Sequence, residues 1–182
     1  MESELYTIVR KAKQGDHEAF RQLIARFKGQ VFRHAFAMLH DRMEAEDVTQ
    51  EAFVKAYYSL HSLDSEYAFA SWLTRIVTNL CYTRAQKKKR EAAWITENTD
   101  VISTTVSGGI GPIERKQMQM TIEEGMERLS VDHRTVIVLR DIQGFTYEEI
   151  ANILQVPVGT VKSRISAARL SLRKHLETRE DC

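Results

Sequence analysis

The sequence predicts an all-α fold, built as two small helical domains joined by a flexible linker. Only two prolines and eight glycines interrupt 182 residues, so helix breakers are few. Apolar residues recur with the helical period of 3.6, and no stretch shows the alternation of a strand. Between Glu91 and Gly111 that period stops and the chain becomes rich in Thr, Ser and Gly. We therefore assign residues 1–90 and 113–177 to the domains and residues 91–112 to the linker.

Four helices are predicted in the first domain. The first helix ends at Gly15, and Asp16 is a suitable N-cap for the second. Gly29 is expected to interrupt or kink that second helix. A third helix with one apolar face leads to the polar loop "HSLDSEY". The fourth helix carries apolar residues at i, i+3, i+4, i+7 and i+11, namely Phe69, Trp72, Leu73, Ile76 and Leu80.

The second domain opens with a helix for which Pro112 suits the first turn. Ser130 then caps a further helix, which Gly144 ends. Thr146 and Glu149 have the spacing of a capping box at the start of the short helix "YEEIANIL". Gln155, Val156 and Pro157 form a tight turn, and a last helix is predicted from about residue 158 to about residue 177. Short helix, tight turn and longer helix make a helix-turn-helix.

The last helix is strongly basic although the whole chain has a net charge of only +1. The segment "PVGTVKSRISAARLSLRKH" contains two lysines, three arginines, one histidine and no carboxylate. On a helix its apolar residues form one narrow stripe, made of Val161, Ile165, Ala168, Leu172 and Leu176. Beside the stripe lies a polar flank of Lys162, Ser166, Arg169 and Arg173. Thr160, Lys162 and Ser163 lie at the N-terminal end, where such helices meet base edges.

Two interpretations of this basic face compete. An ordinary helical hairpin with a solvated basic face is the simpler one. It does not account for the capping box, the turn and the missing carboxylates together, so the sequence favours DNA binding.

An acidic segment opens the third helix, where Asp47, Gln50 and Glu51 share one face at i, i+3 and i+4 beside Phe53. Acids in a first turn stabilise the helix dipole, which accounts for Glu44 and neighbouring Glu46 but not for the acids further in. A docking face for a basic helical partner is the alternative. The residues by themselves favour neither.

A polar stripe follows the apolar one on the fourth helix, formed by Arg75, Asn79, Tyr82 and Gln86. From the residues alone, a structural hydrogen bond from Asn79 to a Ser or Thr is the explanation for an asparagine inside a helix. The helix ends in a basic tail of Arg84, Lys87, Lys88, Lys89 and Arg90, which is either solvated or follows phosphates.

Several function classes find no support in the sequence. No apolar run approaches the roughly 20 residues of a membrane span, and the charged N-terminus lacks the apolar core of a signal peptide. Two cysteines make no disulfide framework, which is typical of the cytoplasm. The six histidines lack metal-ligand spacing, and no nucleotide-binding or nucleophile motif is present. We therefore expect neither an enzyme nor a cofactor or metal, and no direct membrane insertion.

Three segments resemble the extracytoplasmic-function (group 4) sigma factors of bacterial RNA polymerase. "TYEEIANILQVPVGTVKSRISAARLSLRK" resembles their fourth region, which reads the −35 promoter element. "AEDVTQEAFVKAY" resembles the polymerase-docking helix of the second region, and "FASWLTRIVTNLCYTRAQKKKR" resembles the adjoining segment that reads the −10 element. Two positions depart from the family pattern: Ala167, where Arg is common, and Gln155, where Gly is common. The first puts one −35 contact in question, and the second suggests a slightly different turn.

The resemblance implies a promoter-specificity subunit without enzymatic activity of its own. Its implied partners are promoter DNA, the clamp coiled coil of the largest subunit of core polymerase, and an anti-sigma factor. The implied −35 contacts are Gly159, Thr160, Lys162, Ser163, Ser166, Arg169 and Arg173. The implied −10 contacts are Leu63, Asp64, Arg75, Asn79, Tyr82, Lys87 and Lys88. Polymerase docking is assigned to Asp47, Gln50, Glu51 and Phe53. A free-standing helix-turn-helix regulator, or a helical adaptor without a DNA role, remains the alternative.

Overall fold

A computed structural model describes residues 2–98 and 122–180, and every regular element in these two parts is helical. The first part holds α1 (Glu2–Lys13), α2 (His17–Leu39), α3 (Arg42–Ser59) and α4 (Phe69–Asn98), with single 3₁₀ turns at Leu60–Ser62 and Glu66–Ala68. The second part holds α5 (122–128), α6 (Val131–Ile137), α7 (Tyr147–Leu154) and α8 (Val158–Glu180). A π-helical turn, Val138–Ile142, extends α6. The all-α prediction with two helical domains is confirmed.

Two helices run further than the sequence predicts. Helix α2 passes through Gly29 without a break, because Phe27 and Val31 on either side are buried and their packing outweighs the low helix propensity of glycine. Helix α4 continues to Asn98, eight residues beyond the predicted domain end at Arg90. The rest of the predicted linker, and the helix start expected at residue 112, lie outside the described residues.

The predicted helix caps form as hydrogen bonds. The Asp16 carboxylate accepts from the backbone N–H of Ala19 at 3.0 Å, and Ser130 caps α6 in the same way. In the capping box, the Glu149 N–H donates to the Thr146 hydroxyl at 3.2 Å, and the Thr146 N–H donates to the Glu149 carboxylate at 2.7 Å. These bonds satisfy backbone donors that lack partners within the helices and so fix where α2, α6 and α7 begin.

The N-terminal domain is built around α2, which packs against α1, α3 and α4. Leu23, Val48 and Leu73 come from three of these helices and are almost completely buried. Cys81 is also fully buried there, and burial raises the pKa of its thiol to about 12. Cys81 is therefore a packing residue that stays protonated at neutral pH.

The helix-turn-helix has a small core of its own. Val136 and Leu139 from α6 and the π turn meet Ile150 of α7 and Ile165 of α8. Ala151 is 9% exposed and keeps α7 close to its neighbours because its side chain is only a methyl group.

The two domains also pack against each other. Met126, Ile137, Val138 and Ala168 of the C-terminal domain belong to the same continuous buried cluster as the N-terminal core. Helix α7 lies against α4, and α6 with its π turn lies against α2. The C-terminal domain is therefore docked on α2 and α4 of the N-terminal domain, and the sequence gives no sign of this contact.

Two polar links cross this interface. The imidazole of His34, 3% exposed, lies 3.0 Å from the Thr78 hydroxyl through Nε2 and 2.5 Å from the Gln143 amide nitrogen through Nδ1. Arg134 donates from Nη1 to the backbone carbonyl of Met38 at 2.8 Å. That carbonyl is in the last turn of α2 and has no partner within the helix. The links therefore satisfy groups that the apolar contact would otherwise leave buried and unpaired.

His34 should make stability depend on pH. Burial lowers its pKa to about 4, partly offset by the Gln143 hydrogen bond, whereas an unfolded histidine titrates near 6.5. The unfolded chain therefore binds the extra proton first, and stability is lost as pH falls from about 6.5 to about 4. We expect the free energy of unfolding in urea to fall by up to about 1.4 kcal/mol per pH unit in this window.

His34→Gln is the control for this prediction, because glutamine takes up no proton and still offers polar atoms to Thr78 and Gln143. Its unfolding free energy should vary less steeply between pH 6.5 and 4. Equal pH slopes for the two proteins would contradict the assignment.

Candidate nucleic-acid interface

The turn of the helix-turn-helix is set by a left-handed residue. Gln155 has φ 55° and ψ 45°, and the Val156 N–H closes the end of α7 on the Ala151 carbonyl at 3.1 Å. Pro157 then precedes α8, which begins one residue later. The three-residue turn has the predicted length. Because glycine adopts a positive φ at little cost, the Gly that is common at this position has a clear reason.

Helix α8 turns its basic flank to solvent. Val161, Ile165 and Ala168 are buried, as the predicted apolar stripe requires. Thr160 is half-buried, and the other predicted −35 residues are exposed: Gly159, Lys162, Ser163, Ser166, Arg169 and Arg173. The seven residues thus lie along one accessible side of the second helix of the motif.

Two arginines of this basic helix form ion pairs with acids, which sequence reasoning missed. Arg169 pairs with Asp141 of the π turn through Nη2 at 2.5 Å and Nε at 3.2 Å. Arg173 bonds Glu177 one turn later at 2.7 Å. Among the residues that the structure describes, none forms an ion pair with Lys162. Exposed pairs are worth about 0–1 kcal/mol, so a phosphate can replace either carboxylate at little cost.

A groove of about 300 Å³ runs between α3 and α4 beside the polar stripe. Asn79 lines it together with Ile76, Leu80 and Thr83, and it ends at charged side chains of both helices. Asn79 is exposed, as are Arg75 and Tyr82 of the stripe, and Gln86 donates to the Tyr82 hydroxyl at 3.2 Å. Lys87 and Lys88, further along α4, are exposed as well. The stripe therefore borders a concave, mixed surface.

The loop before α4 corrects one expectation. Leu63, predicted to contact DNA, is 4% exposed and belongs to the hydrophobic core, while its carbonyl accepts a hydrogen bond from Lys13. Asp64 is exposed. Burying an apolar side chain stabilises the loop, and Leu63 therefore supports the loop from below and forms no part of its exposed surface.

The acidic face of α3 is divided by the neighbouring helix. Asp47 and Gln50 are exposed. Glu51 instead bonds Arg84 of α4 at 3.1 Å and Lys55 at 3.2 Å. Burial pushes the pKa of Glu51 up, but these hydrogen bonds outweigh it and lower the pKa overall. Glu51 is thus engaged in joining α3 to α4, contrary to the prediction that it shares a free face.

Phe53 also differs from its predicted role, since it is 7% exposed and packs in the core. Three other apolar side chains of α3, not Phe53, lie on its exposed face. Met43, Val54 and Tyr58 are 78%, 55% and 73% exposed. With Asp47 and Gln50 they follow the spacing i, i+4, i+7, i+11 and i+15, which places them on one side of the helix. The same spacing in the sequence would have revealed them.

Comparison of the sequence with known proteins identifies a family. The sigma-70 region 2 model matches residues 23–91, and the sigma-70 region 4 model matches residues 119–172. The ECF RNA polymerase sigma factor SigW of Bacillus subtilis is 37% identical, over 97% of this chain and 98% of its own. The ECF RNA polymerase sigma-E factor of Escherichia coli K12 is 35% identical, over 89% and 88%.

Solved structures give the same result. The sigma factor RpoE of Bartonella quintana, in complex with the anti-sigma factor NepR, matches with a TM-score of 0.68 and 26% identity, over 87% of this chain and 96% of its own. CnrH, in complex with the cytosolic domain of CnrY, has the same fold, with a TM-score of 0.69 and 24% identity, over 96% of this chain and 97% of its own.

Region 2 and region 4, in that order on one chain, define the class of sigma-70-type transcription initiation factors. Within that class, the chain belongs to the extracytoplasmic-function sigma factors. It directs promoter-specific initiation by binding core RNA polymerase and recognising the −10 and −35 elements. A single chain with both regions favours this function over a free-standing regulator.

Two further observations concern the part of the chain that the structure describes. None of its helices combines the length and apolarity that a membrane span requires. Across residues 2–98 and 122–180, no group of three or more His, Cys, Asp or Glu side chains is arranged to hold a metal ion.

The positive φ of Gln155 predicts that glycine would stabilise the turn of the helix-turn-helix. Gln155→Gly should raise the free energy of unfolding by about 0.5–1 kcal/mol, because the αL conformation costs an L-residue about 1–2 kcal/mol and glycine's greater unfolded-state entropy removes part of that gain. Asn152→Gly, inside α7, should instead lower it by a few tenths of a kcal/mol, since glycine is a poorer helix former than asparagine. Urea unfolding of both variants measures the effects, and destabilisation by Gln155→Gly would refute the explanation.

Proposed function

We propose that three separate surfaces perform the recognition steps of this sigma factor. The exposed flank of α8 reads the −35 element, the groove and stripe of α4 read the −10 element, and the outer face of α3 docks on core polymerase. The observation that carries the proposal is the orientation of α8, whose apolar stripe is buried and whose basic flank faces solvent.

Different residues of α8 are proposed to supply the affinity and the specificity of the −35 contact. Lys162, near the N-terminal end of α8, is a cation free to meet a phosphate, and Arg169 and Arg173 can exchange their carboxylate partners for phosphates. The Ser163 hydroxyl donates to the Thr160 carbonyl at 3.0 Å, which leaves its oxygen able to accept from a base edge. Ala167 supplies no charge where relatives of the family often have Arg, so this chain relies on fewer cations.

Lys162→Ala should weaken binding to a −35 duplex and reduce the slope of log K against log salt by about 0.9, the effect of one phosphate contact. Ser163→Ala should change base preference and leave the salt slope unchanged, because a hydroxyl carries no charge. Fluorescence anisotropy across a salt series measures both. Lys28→Ala removes the same charge from an exposed site on α2 and is the control. An unchanged slope for Lys162→Ala would exclude it from the phosphate contacts.

For the −10 element we propose that an unpaired base enters the groove beside Asn79. The Asn79 amide offers a donor and an acceptor to a base edge, and Ile76 and Leu80 supply apolar surface for its face. Arg75, Lys87 and Lys88 lie on the same helix and suit the phosphates of the strand. Asp64 and Tyr82 border the surface; Leu63 only supports it.

Docking on polymerase is assigned to a face of α3 that no other part of the described chain needs. Asp47 and Gln50 supply polar contacts, and Met43 and Val54 flank them with exposed apolar surface. A face with a charged centre and apolar surface on either side suits a helical partner of opposite charge, such as the clamp coiled coil.

The double variant Asp47→Lys, Gln50→Ala should abolish capture of core polymerase and run-off transcription. Losing a charged partner in a desolvated contact costs about 2–5 kcal/mol, or at least 30-fold in affinity. Glu51 is left unchanged because it holds Arg84. The control Glu18→Lys makes the same charge change on α2. Core binding at wild-type strength by the folded double variant would place the docking site elsewhere.

We also propose that an anti-sigma factor holds this chain in the bacterial cytoplasm. The support is the likeness to the RpoE structure, which was solved with the anti-sigma factor NepR.

A further inference from the structure

The loop that leads into α4 has little packing of its own. Leu63 and Phe69 are buried at its two ends, but none of the five residues between them, 64–68, is buried. A 3₁₀ turn within this stretch is closed by the Ala68 N–H, which donates to the Ser65 carbonyl at 3.0 Å. Because the hydrogen-bond geometry of a 3₁₀ turn is poor, this turn needs support from a neighbouring element to keep one conformation.

Helix α1 is the neighbour that supplies this support. One side of α1, which includes Val9, is buried in the core. Tyr6, Arg10 and Lys13 follow the spacing i, i+4 and i+7, which places them together on another side of the helix. The Tyr6 ring lies against the loop, with its centroid 4.3 Å from that of Tyr67. We call these three residues of α1 the loop-facing stripe.

The two cations of the loop-facing stripe bind the loop at two points. Arg10 donates to Oε1 of Glu66 from Nη2 at 2.5 Å and from Nε at 3.1 Å. The hydrogen bond from Arg10 is the main reason why the pKa of Glu66 is lowered, so this carboxylate is charged at neutral pH. Lys13 donates from Nζ to the backbone carbonyl of Leu63. A side chain and a backbone group of the loop are therefore both held by α1.

We propose that Arg10 and Lys13 are positioning residues for the −10 element, which hold the loop before α4 in the conformation that receives an unpaired base. Asp64, which is exposed, lies between the two loop residues that they bind. The proposal rests on the −10 surface proposed above and adds to it a helix that carries none of the −10 contacts.

The physical reason is preorganisation. A loop that already has its bound conformation pays no ordering cost when the base enters, and only a base that fits gains from an ordered pocket. Arg10 and Lys13 should therefore contribute to base selectivity through the loop, without a contact of their own to DNA.

Exchanging the charges of Arg10 and Glu66 tests the proposal. Holoenzyme made from core polymerase and the full chain binds single-stranded −10 oligonucleotides, selected from a randomised pool with the wild type and then varied at each base. Arg10→Glu should reduce the affinity ratio between preferred and other bases by about two- to fivefold, the most that an exposed ion pair contributes. The double variant Arg10→Glu, Glu66→Arg should restore the ratio. Lys13→Met, which keeps the length of the side chain, should lower it.

The affinity ratio is the decisive quantity because a change in net charge alters the attraction to phosphates equally for every sequence. Lys11→Glu is the matched control: it makes the same charge change at an exposed neighbour in α1 and should keep the wild-type ratio. Hydrogen–deuterium exchange gives a second readout. The Ala68 amide should exchange faster in Arg10→Glu and return to the wild-type rate in the double variant, while α2 and α4 exchange as in the wild type.

The outcomes separate the positioning role from the −10 surface itself. An unchanged ratio for Arg10→Glu, together with an altered ratio for Asn79→Ala, would overturn the positioning role and leave the −10 surface in place. A double variant as poor as Arg10→Glu would also overturn it, because Arg10 would then not act through Glu66. Faster exchange throughout α2 and α4 would make Arg10 a residue of general stability instead. Unchanged ratios for both Arg10→Glu and Asn79→Ala would refute the proposed −10 surface, and the positioning role with it.

Discussion

The packing of α2 against α1, α3 and α4 is the constraint on which the rest of the structure depends. Leu23 and Val31 hold α1, α3 and α4 around it, and at its C-terminal half His34, Ala35 and Met38 meet both α4 and the C-terminal domain. Because these buried contacts lie on both sides of Gly29, α2 stays helical through its central glycine. It also fixes α3 and α4 side by side, which creates the groove at the proposed −10 surface.

The functional surfaces are what this core leaves outside. Helices α3, α4 and α8 each bury an apolar stripe and turn a polar side to solvent, and their exposed sides differ in charge. On α3 the acids Glu44 and Glu51 are drawn inward by Arg84. That removes negative charge from the outer face and leaves a smaller patch around Asp47 with apolar neighbours. The two ion pairs therefore define the edge of the proposed docking surface.

The π turn Val138–Ile142 contacts both the N-terminal domain and the basic helix α8. Val138 is buried against the N-terminal core, Gln143 just after it reaches His34, and Asp141 holds Arg169 of the DNA-reading helix. A π turn widens the helix by one residue and so points consecutive side chains in directions that an α-helix does not permit. The contact between the domains and the helix proposed to read DNA are thus both joined to this one π turn.

Most of the helices, their caps and the helix-turn-helix follow from local sequence, because apolar period, capping residues and turn residues are properties that neighbouring residues decide. The passage of α2 through Gly29 and the full length of α4 do not follow from it. The sequence also placed the basic flank of α8 and the exposed positions of Asn79 and Asp47. Packing between distant helices is what buries Leu63 and Phe53, pairs Glu51 with Arg84 and docks the two domains. Each of those outcomes depends on a residue far away in the chain, and a periodic pattern states which face is apolar but not which partner covers it.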